Sequence, residues 1–379
     1  MRRNFWRGIA TTALIFSITI PIHAQSKASP ANPDPDHPLW ELNLAPAGLA
    51  QQSNLYESPL TLGFVDSDTL VAAWFVSHPR TSPSAAESAI LNATYIDAKT
   101  GKTRSKSEWE TSSRPLKVDI TPSGNLLVRT GKTLRSFSPE LKPIHEKEFS
   151  TSTVFGLEVS PNGATVLVCP ASQDRSFGQL LNADTFQLLD NVPLIVRCGN
   201  YFVGETSLLA RSDTNSEVLV RTLDQPWHPL PTTFHLDSAK TARKVGYVFL
   251  NENLIAENPL FCAQSLSILT IAGEILSTIK LPPRHCWGNI VTSRSGKYFG
   301  VPEERLRGIR NDTLDMYPFP SPDRFVVYRL ADLTEVFRVK VEGVSPWFPK
   351  RLVQKYAISP NGDKVAIMSN GIIRVYAVH

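Results

Sequence analysis

Apolar residues along this chain fall into many short runs rich in Val, Ile, Leu, Phe and Tyr. Gly, Pro, Asn, Asp and Ser separate these runs. No long stretch carries the 3.6-residue spacing of an amphipathic helix. Short β-type runs bounded by turn-forming residues are typical of strands. The pattern therefore predicts an all-β protein.

One unit, a strand followed by a tight turn and a second strand, recurs along the chain. Its turns are TPSG at 121–124, SPNG at 160–163, SRSG at 293–296 and SPNG at 359–362, with weaker copies at 65–68, 203–206 and 250–253. Proline presets one turn position, and Gly or Asn supplies a positive φ. Most intervals between turns lie near the period of a four-stranded propeller blade. We predict a seven-bladed β-propeller of four-stranded antiparallel blades over residues 37–379.

The SPNG turns, each followed by an apolar strand, resemble the repeats of the WD-repeat and YVTN-type bacterial β-propellers. The resemblance covers residues 37–379, although the Gly-His and Trp-Asp pairs of true WD repeats are missing. Propellers of this kind commonly pair their two termini within one blade. The last repeat has three strands, and residues 39–44 alternate apolar with polar. The resemblance implies that this N-terminal strand completes the last blade, since an open ring would leave strand edges unpaired.

The first residues have the layout of an export signal. Three arginines precede the apolar run Ile9–Ile20, and Ala24 offers a small residue before Gln25. This order is typical of a cleaved secretory signal peptide, here residues 1–24. The arginine pair also resembles a twin-arginine signal, and an uncleaved membrane anchor is the remaining alternative. The Pro- and Ser-rich residues 25–36 are interpreted as a disordered linker. We expect a periplasmic or secreted protein.

Charge narrows the classes of partner. The chain has 39 Lys and Arg against 35 Asp and Glu, and the leader contributes three of those arginines and no acid. The remainder is close to neutral and lacks the basic footprint of a nucleic-acid binder. No apolar stretch long enough for a membrane span follows the leader. We expect no nucleic-acid partner, no membrane insertion after cleavage of the signal, and a monomer.

Four cysteines follow the leader, and an even number in an exported chain predicts disulfides. Spacing alone leaves three pairings open. In propellers of the family that this chain resembles, loops between the second and third strands share a face with the crossings between blades. Cys169 and Cys262 are expected at or just after the ends of second strands, and Cys198 and Cys286 in crossings between blades. The resemblance therefore implies two bridges of equivalent position, Cys169–Cys198 and Cys262–Cys286. No Cys-x-x-Cys pair or His/Cys cluster at zinc spacing occurs, so we expect neither metal nor cofactor.

Two stretches are longer than a blade requires, residues 77–88 and 303–324. Both are expected to join second to third strands, and long loops on a rigid scaffold often carry binding residues. The second stretch and the crossings near it combine charged with aromatic side chains, which suits recognition. The binding candidates are His285, Trp287, Glu303, Glu304, Arg305, Arg307, Arg310, Tyr317, Trp347 and Arg351. The competing interpretation is a solvated insert whose aromatics cover the adjacent blade.

Catalytic motifs are missing from the sequence. It contains no G-x-S-x-G elbow, no H-E-x-x-H and no Gly-rich phosphate loop. Glu158 and Asp119 are the carboxyls that could approach a central channel, as a propeller glycosidase would need. We predict an exported non-enzymatic propeller that binds a protein or small ligand through its loop face. The alternative is an exported propeller hydrolase, lactonase or lyase that acts on a small molecule or saccharide.

Overall fold

The computed structural model describes residues 37–49, 60–77, 89–111, 115–149, 154–170, 177–195, 201–211, 218–230, 245–259, 265–283, 285–307, 319–341 and 354–378. All of them belong to one compact unit, Pro33–His379. The signal peptide and linker predicted for residues 1–36 lie outside the described residues. No described helix is long and apolar enough to cross a membrane.

The described strands form seven separate sheets, each a blade, and every pairing within them is antiparallel. The first three blades are β2 (Leu60–Phe64), β3 (Thr69–Ser77), β4 (Ala89–Asp97) and β5 (Thr103–Thr111); β6 (Pro115–Ile120), β7 (Leu126–Thr130), β8 (Thr133–Phe137) and β9 (Pro143–Glu148); and β10 (Val154–Val159), β11 (Thr165–Pro170), β12 (Phe177–Asn182) and β13 (Leu188–Pro193). The next two are β14 (Tyr201–Val203), β15 (Ser207–Arg211), β16 (Val218–Thr222) and β17 (His228–Pro229); and β18 (Val245–Phe249), β19 (Leu254–Pro259), β20 (Ser265–Thr270) and β21 (Ile275–Lys280).

Blades 6 and 7 depart from this simple order. Blade 6 contains β22 (His285–Trp287), β23 (Val291–Thr292), β24 (Tyr298–Arg307), β25 (Phe319–Arg329) and β26 (Glu335–Lys340), and β22 and β23 both pair with β24. Blade 7 contains β27 (Gln354–Ile358), β28 (Lys364–Ser369), β29 (Ile372–Ala377) and the N-terminal β1 (Trp40–Asn43). A short 3-10 turn, Ala45–Ala47, follows β1. The predicted seven-bladed propeller is confirmed.

The predicted turns all join the first and second strands of a blade, and their chemistry explains the recurrence. In the turn at 160–163, Gly163 adopts φ 77° and its amide donates to the Ser160 carbonyl at 2.8 Å. The Ser160 hydroxyl accepts a further bond from the Thr165 amide at 3.0 Å. The turn at 359–362 repeats both bonds, with the Lys364 amide donating to the Ser359 hydroxyl at 2.9 Å. A leading Ser and a closing Gly therefore start the second strand in these two copies.

The blades pack face to face, and seven apolar clusters among the described residues each join two neighbouring blades. β3 shows how the sequence does this: Leu70 and Trp74 face blade 7, while Val71 and Phe75 face blade 2. Strands covered on both faces are apolar at nearly every position. The clusters link blade 7 to blade 1 and so complete the ring.

The closing strand lies where the resemblance implied. β1 pairs with β29, and Trp40 lies opposite Val375. The Leu39 amide donates to the Val375 carbonyl at 2.6 Å, and Glu41 forms an ion pair with Arg374 at 2.8 Å. The Trp40 indole reaches blade 1, where its Nε1 donates to the Ala98 carbonyl at 2.9 Å. The N-terminal strand therefore ties the last blade to the first.

The cysteine positions test part of the sequence argument. Cys169 and Cys286 are fully buried. Cys169 lies near the end of the second strand of blade 3, as expected. The placement of Cys286 in a crossing between blades is wrong, because it lies in β22 opposite Glu304. Cys198 and Cys262 lie outside the described residues, so the two pairings stay predictions.

Candidate functional site

The candidate site is built on a long hairpin in blade 6, β24 with β25. These strands contain 10 and 11 residues, whereas β15 and β16 of blade 4 contain 5 each. The prediction of a loop over 303–324 is therefore partly wrong: residues 303–307 and 319–324 are strand, and 308–318 lie outside the described residues. Cross-strand hydrogen bonds maintain these strands although their sequences are charged and rich in proline, so intrinsic propensity gave little sign of them.

Blade 1 carries the matching feature. β3 and β4 contain 9 residues each, and residues 78–88 between them lie outside the described part of the chain. Both hairpins join second to third strands and therefore rise from the same face of the ring. Blade 7 is flanked by blades 6 and 1. The two hairpins consequently border the part of this face that belongs to blade 7. We call this area, together with both sides of the two hairpins, the hairpin face.

Glu303 and Glu304 are neighbours in β24, but they have different environments. A bulge separates them, because Glu303 lies opposite Arg324 and Glu304 lies opposite Pro322. Glu303 is buried and its Oε2 accepts from Arg338 at 2.9 Å. Burial raises the pKa of Glu303, and the charge of Arg338 counteracts that rise. Arg338 also contacts both carboxylate oxygens of Glu335. Glu303 therefore belongs to an ion-pair network inside the blade.

Glu304 is the half-buried carboxyl of the hairpin face. Burial raises the pKa of Glu304 to about 7, and no ion pair to it is found among the described residues. Its side chain lies against Gly288, where an added Cβ would meet Glu304 Oε1 at 2.8 Å. The carboxyl therefore packs closely against the Gly288 backbone. Glu304 therefore changes its charge near neutral pH on the hairpin face.

Tyr356 and Gln354 of β27 lie near this carboxyl on blade 7. The pKa of Tyr356 is raised by burial first and by the charge of Glu304 second. Its hydroxyl donates to Gln354 Oε1 at 2.7 Å, and its ring stacks on Phe325 at 4.3 Å. The sequence candidates did not include Tyr356 or Gln354. Only their place in the first strand of the neighbouring blade could have indicated them, and this depends on the ring geometry.

The remaining candidates divide by exposure. Arg305 is exposed and His285 is half-buried, and the two residues lie opposite each other in β24 and β22. Trp287 was expected to be a binding residue, but it is buried and packs edge-on against Tyr328. It is therefore a core residue of blade 6. Arg307 lies in β24, and its side chain is outside the described set. The other candidates, also outside it, are Arg310, Tyr317, Trp347 and Arg351.

The site can therefore recognise a partner through charge and hydrogen bonding. Arg305 offers an exposed cation opposite the His285 ring, and Glu304 offers a half-buried carboxyl on the other side of β24. Glu303 and Glu304 do not form the pair of free carboxyls that a glycosidase needs, because Glu303 is bonded to Arg338. No group of three or more His, Cys, Asp or Glu residues that could hold a metal occurs among the described residues.

Comparisons with known proteins bear on the fold. No family model and no curated protein matches the chain. Solved structures do resemble it. A chain in the crystal structure of the mitotic checkpoint complex is 12% identical, with a TM-score of 0.53 over 98% of this chain and 100% of that chain. KlHsv2 with loop 6CD replaced by a Gly-Ser linker is 11% identical, with a TM-score of 0.50 over 83% and 90%.

The C-terminal WD40 domain of Sif2 is 10% identical, with a TM-score of 0.48 over 90% of this chain and 98% of that domain. Identities this low concern architecture and leave activity open. The fold is a WD40-like β-propeller.

Proposed function

We propose that this chain is an exported, non-enzymatic interaction propeller whose hairpin face binds a protein. The observation that carries the proposal is the long hairpin of blade 6, which places the exposed Arg305 opposite His285 on one side of β24 and the half-buried Glu304 on the other side. Seven packed blades support the hairpin, and a preformed surface loses little conformational entropy on binding. A chain of similar fold occurs in the mitotic checkpoint complex, itself an assembly.

A charge reversal on the hairpin face tests the proposal. The immobilised domain, residues 25–379, captures proteins from the native envelope fraction, and quantitative mass spectrometry compares the wild type with Arg305→Glu. Lys142→Glu is the matched control, because Lys142 is also exposed but belongs to blade 2. We expect at least one protein to be retained by the wild type and by the control and lost with Arg305→Glu. Identical partner sets for all three proteins would exclude the hairpin face.

Export is part of the same proposal and rests on the leader at residues 1–24. We expect the mature protein to begin at Gln25 and to occur in the periplasm or the medium. Intact-mass analysis of the protein from its native host checks both points. A chain that retains the leader and sediments with membranes would instead support an anchored protein.

The two disulfides are proposed together with export. Peptide mapping without reduction should recover Cys169–Cys198 and Cys262–Cys286. In the chain-entropy model each would add about 3 to 4 kcal/mol to stability through its loop of roughly 25 to 30 residues. A bridge between Cys169 and Cys262 would contradict the assignment of equivalent positions.

An exported hydrolase, lactonase or lyase remains the alternative, and the observation in its favour is Glu304. A carboxyl with a pKa of about 7 has the protonation behaviour of a general acid or base. The neighbouring carboxyl, Glu303, is bonded to Arg338 and does not supply the second free carboxyl of a glycosidase, so we favour the binding function. Turnover of a lactone or glycoside that Glu304→Gln abolishes would reverse this preference.

A further inference from the structure

The axial channel carries a second cluster of charged groups, distinct from the hairpin face. It consists of Lys117 and Asp119 of β6, Glu158 of β10, Lys355 of β27 and Arg294 of the turn after β23. These residues come from blades 2, 3, 7 and 6. Innermost strands of different blades approach one another only around the axis of a propeller.

Arg294 crosses the channel at the end where first strands turn into second strands. One terminal nitrogen donates to the Thr121 carbonyl at 2.5 Å and the other to the Ile120 carbonyl at 2.7 Å. Blades 6 and 2 are separated by blades 7 and 1, so the side chain must span the axis to make these bonds. Burial lowers the pKa of Arg294, and Asp119 counteracts that effect. Arg294 therefore obstructs this end of the channel and favours entry from the opposite face.

The middle of the channel holds one cation that is already paired. Lys117 Nζ donates to the Leu157 carbonyl at 2.7 Å and lies 3.7 Å from Glu158 Oε2. Burial raises the pKa of Glu158, and the charge of Lys117 counteracts the rise. Asp119 accepts a bond from the Ile120 amide at 3.0 Å. Glu158 is therefore paired with Lys117, and Asp119 is hydrogen-bonded to the backbone of its own strand.

Lys355 differs, because the described residues provide no hydrogen-bond acceptor or ion-pair partner for its ammonium group. It is exposed although protein surrounds it on most sides, as expected for a group that lines a narrow passage filled with water. Burial lowers the pKa of Lys355, Asp119 raises it, and Lys117 lowers it. Lys355 belongs to blade 7 and the other two to blade 2, so their charges interact through the channel.

We propose that the axial channel binds a small oxyanion, a carboxylate or a phosphate, through Lys355 with support from Lys117. The cluster contains three cations and two acids, and its free hydrogen-bond donor is the ammonium of Lys355. The low-dielectric protein walls of a narrow channel focus the field of such a cation and strengthen its attraction for an anion. Because Arg294 obstructs the far end of the channel, a bound anion would leave only through the entrance.

Isothermal titration of the mature domain with inorganic phosphate, and separately with citrate, tests the proposal. We expect saturable binding of at least one anion, weakened about tenfold or more by Lys355→Gln, because a charged hydrogen bond is lost. Lys355→Arg should retain binding, and Lys142→Gln, on the outer part of blade 2, should leave it unchanged. Far-UV circular dichroism confirms that each variant is folded.

The two anions also distinguish the sources of the ligand. Binding of phosphate alone indicates a phosphorylated ligand, and binding of citrate alone indicates a carboxylate. The proposal is overturned if neither anion binds the wild type, or if Lys355→Gln binds as tightly as the wild type.

Discussion

Replacing Trp40 by alanine should destabilise the entire propeller, although Trp40 lies in a strand of four residues at the end of the described chain. The indole is half-buried against blade 1 and donates to the Ala98 carbonyl at 2.9 Å. Truncation of a fully buried Trp costs about 3 to 5 kcal/mol, and the hydrogen bond contributes about 1 kcal/mol. For a half-buried indole that also loses its bond, we expect a loss of about 2 to 3 kcal/mol.

Urea unfolding followed by far-UV circular dichroism measures this loss without relying on Trp fluorescence. The midpoint should fall by about 1 M for Trp40→Ala. Trp40→Phe should cost about 1 kcal/mol, because it removes mainly the hydrogen bond. Leu39→Ala is the matched control: its side chain is 51% exposed, and its backbone bond to Val375 remains. If Trp40→Ala and Leu39→Ala unfold at the same midpoint, the closing strand does not hold blade 7 to blade 1.

Two further predictions concern the carboxyls of β24. Arg338→Met should destabilise the domain by about 3 kcal/mol, because it leaves Glu303 buried without its partner. Adding Glu303→Gln should recover part of that loss, and a double-mutant cycle from urea unfolding checks it. Glu304 has a pKa of about 7 in the folded state against 4.5 for the free side chain, so the folded state binds its proton more tightly. The stability that protonated Glu304 contributes is complete below about pH 4.5 and is lost as the pH rises towards 7. The free energy of unfolding should therefore fall by about 2 kcal/mol less over this pH range in Glu304→Gln than in the wild type. Glu257 also has a pKa of about 7, so Glu257→Gln should reduce the pH dependence of stability in the same way. If both Gln variants keep the pH dependence of the wild type, the two raised pKa values are refuted.

The architecture could be predicted from the sequence because a turn of the same local chemistry recurs in several blades. Ser160 and Gly163 perform the same tasks as Ser359 and Gly362, so the turns could be recognised one by one. Closure was implied by the resemblance to propellers that pair their termini, together with the three strands of the last repeat. These features depend on neighbouring residues, which is where sequence patterns carry the most information.

The candidate site was less predictable because its contacts join distant parts of the chain. Glu303 of β24 is bonded to Arg338 of β26, two strands away, and Trp287 packs edge-on against Tyr328. A charged stretch interrupted by prolines indicated a loop, whereas strand pairing extends the hairpin to Arg307. Burial and partnership decide the role of such residues, and neither can be read from spacing within one strand.

The position of Arg294 connects the local pattern with the channel. The other clear turns have proline at the second position, as in Pro122, Pro161 and Pro360, and blade 6 has Arg294 there. Proline would satisfy the turn equally well, so turn formation does not require the arginine. Its two bonds instead connect blade 6 to blade 2 across the axis. β1 connects blade 7 to blade 1 at the outer edge of the ring, and Arg294 connects blade 6 to blade 2 across the axis. The ring is therefore held together at its edge and at its centre. A ring fixed in this way holds the described strands of both hairpins in place, which is the preorganisation that the proposed binding requires.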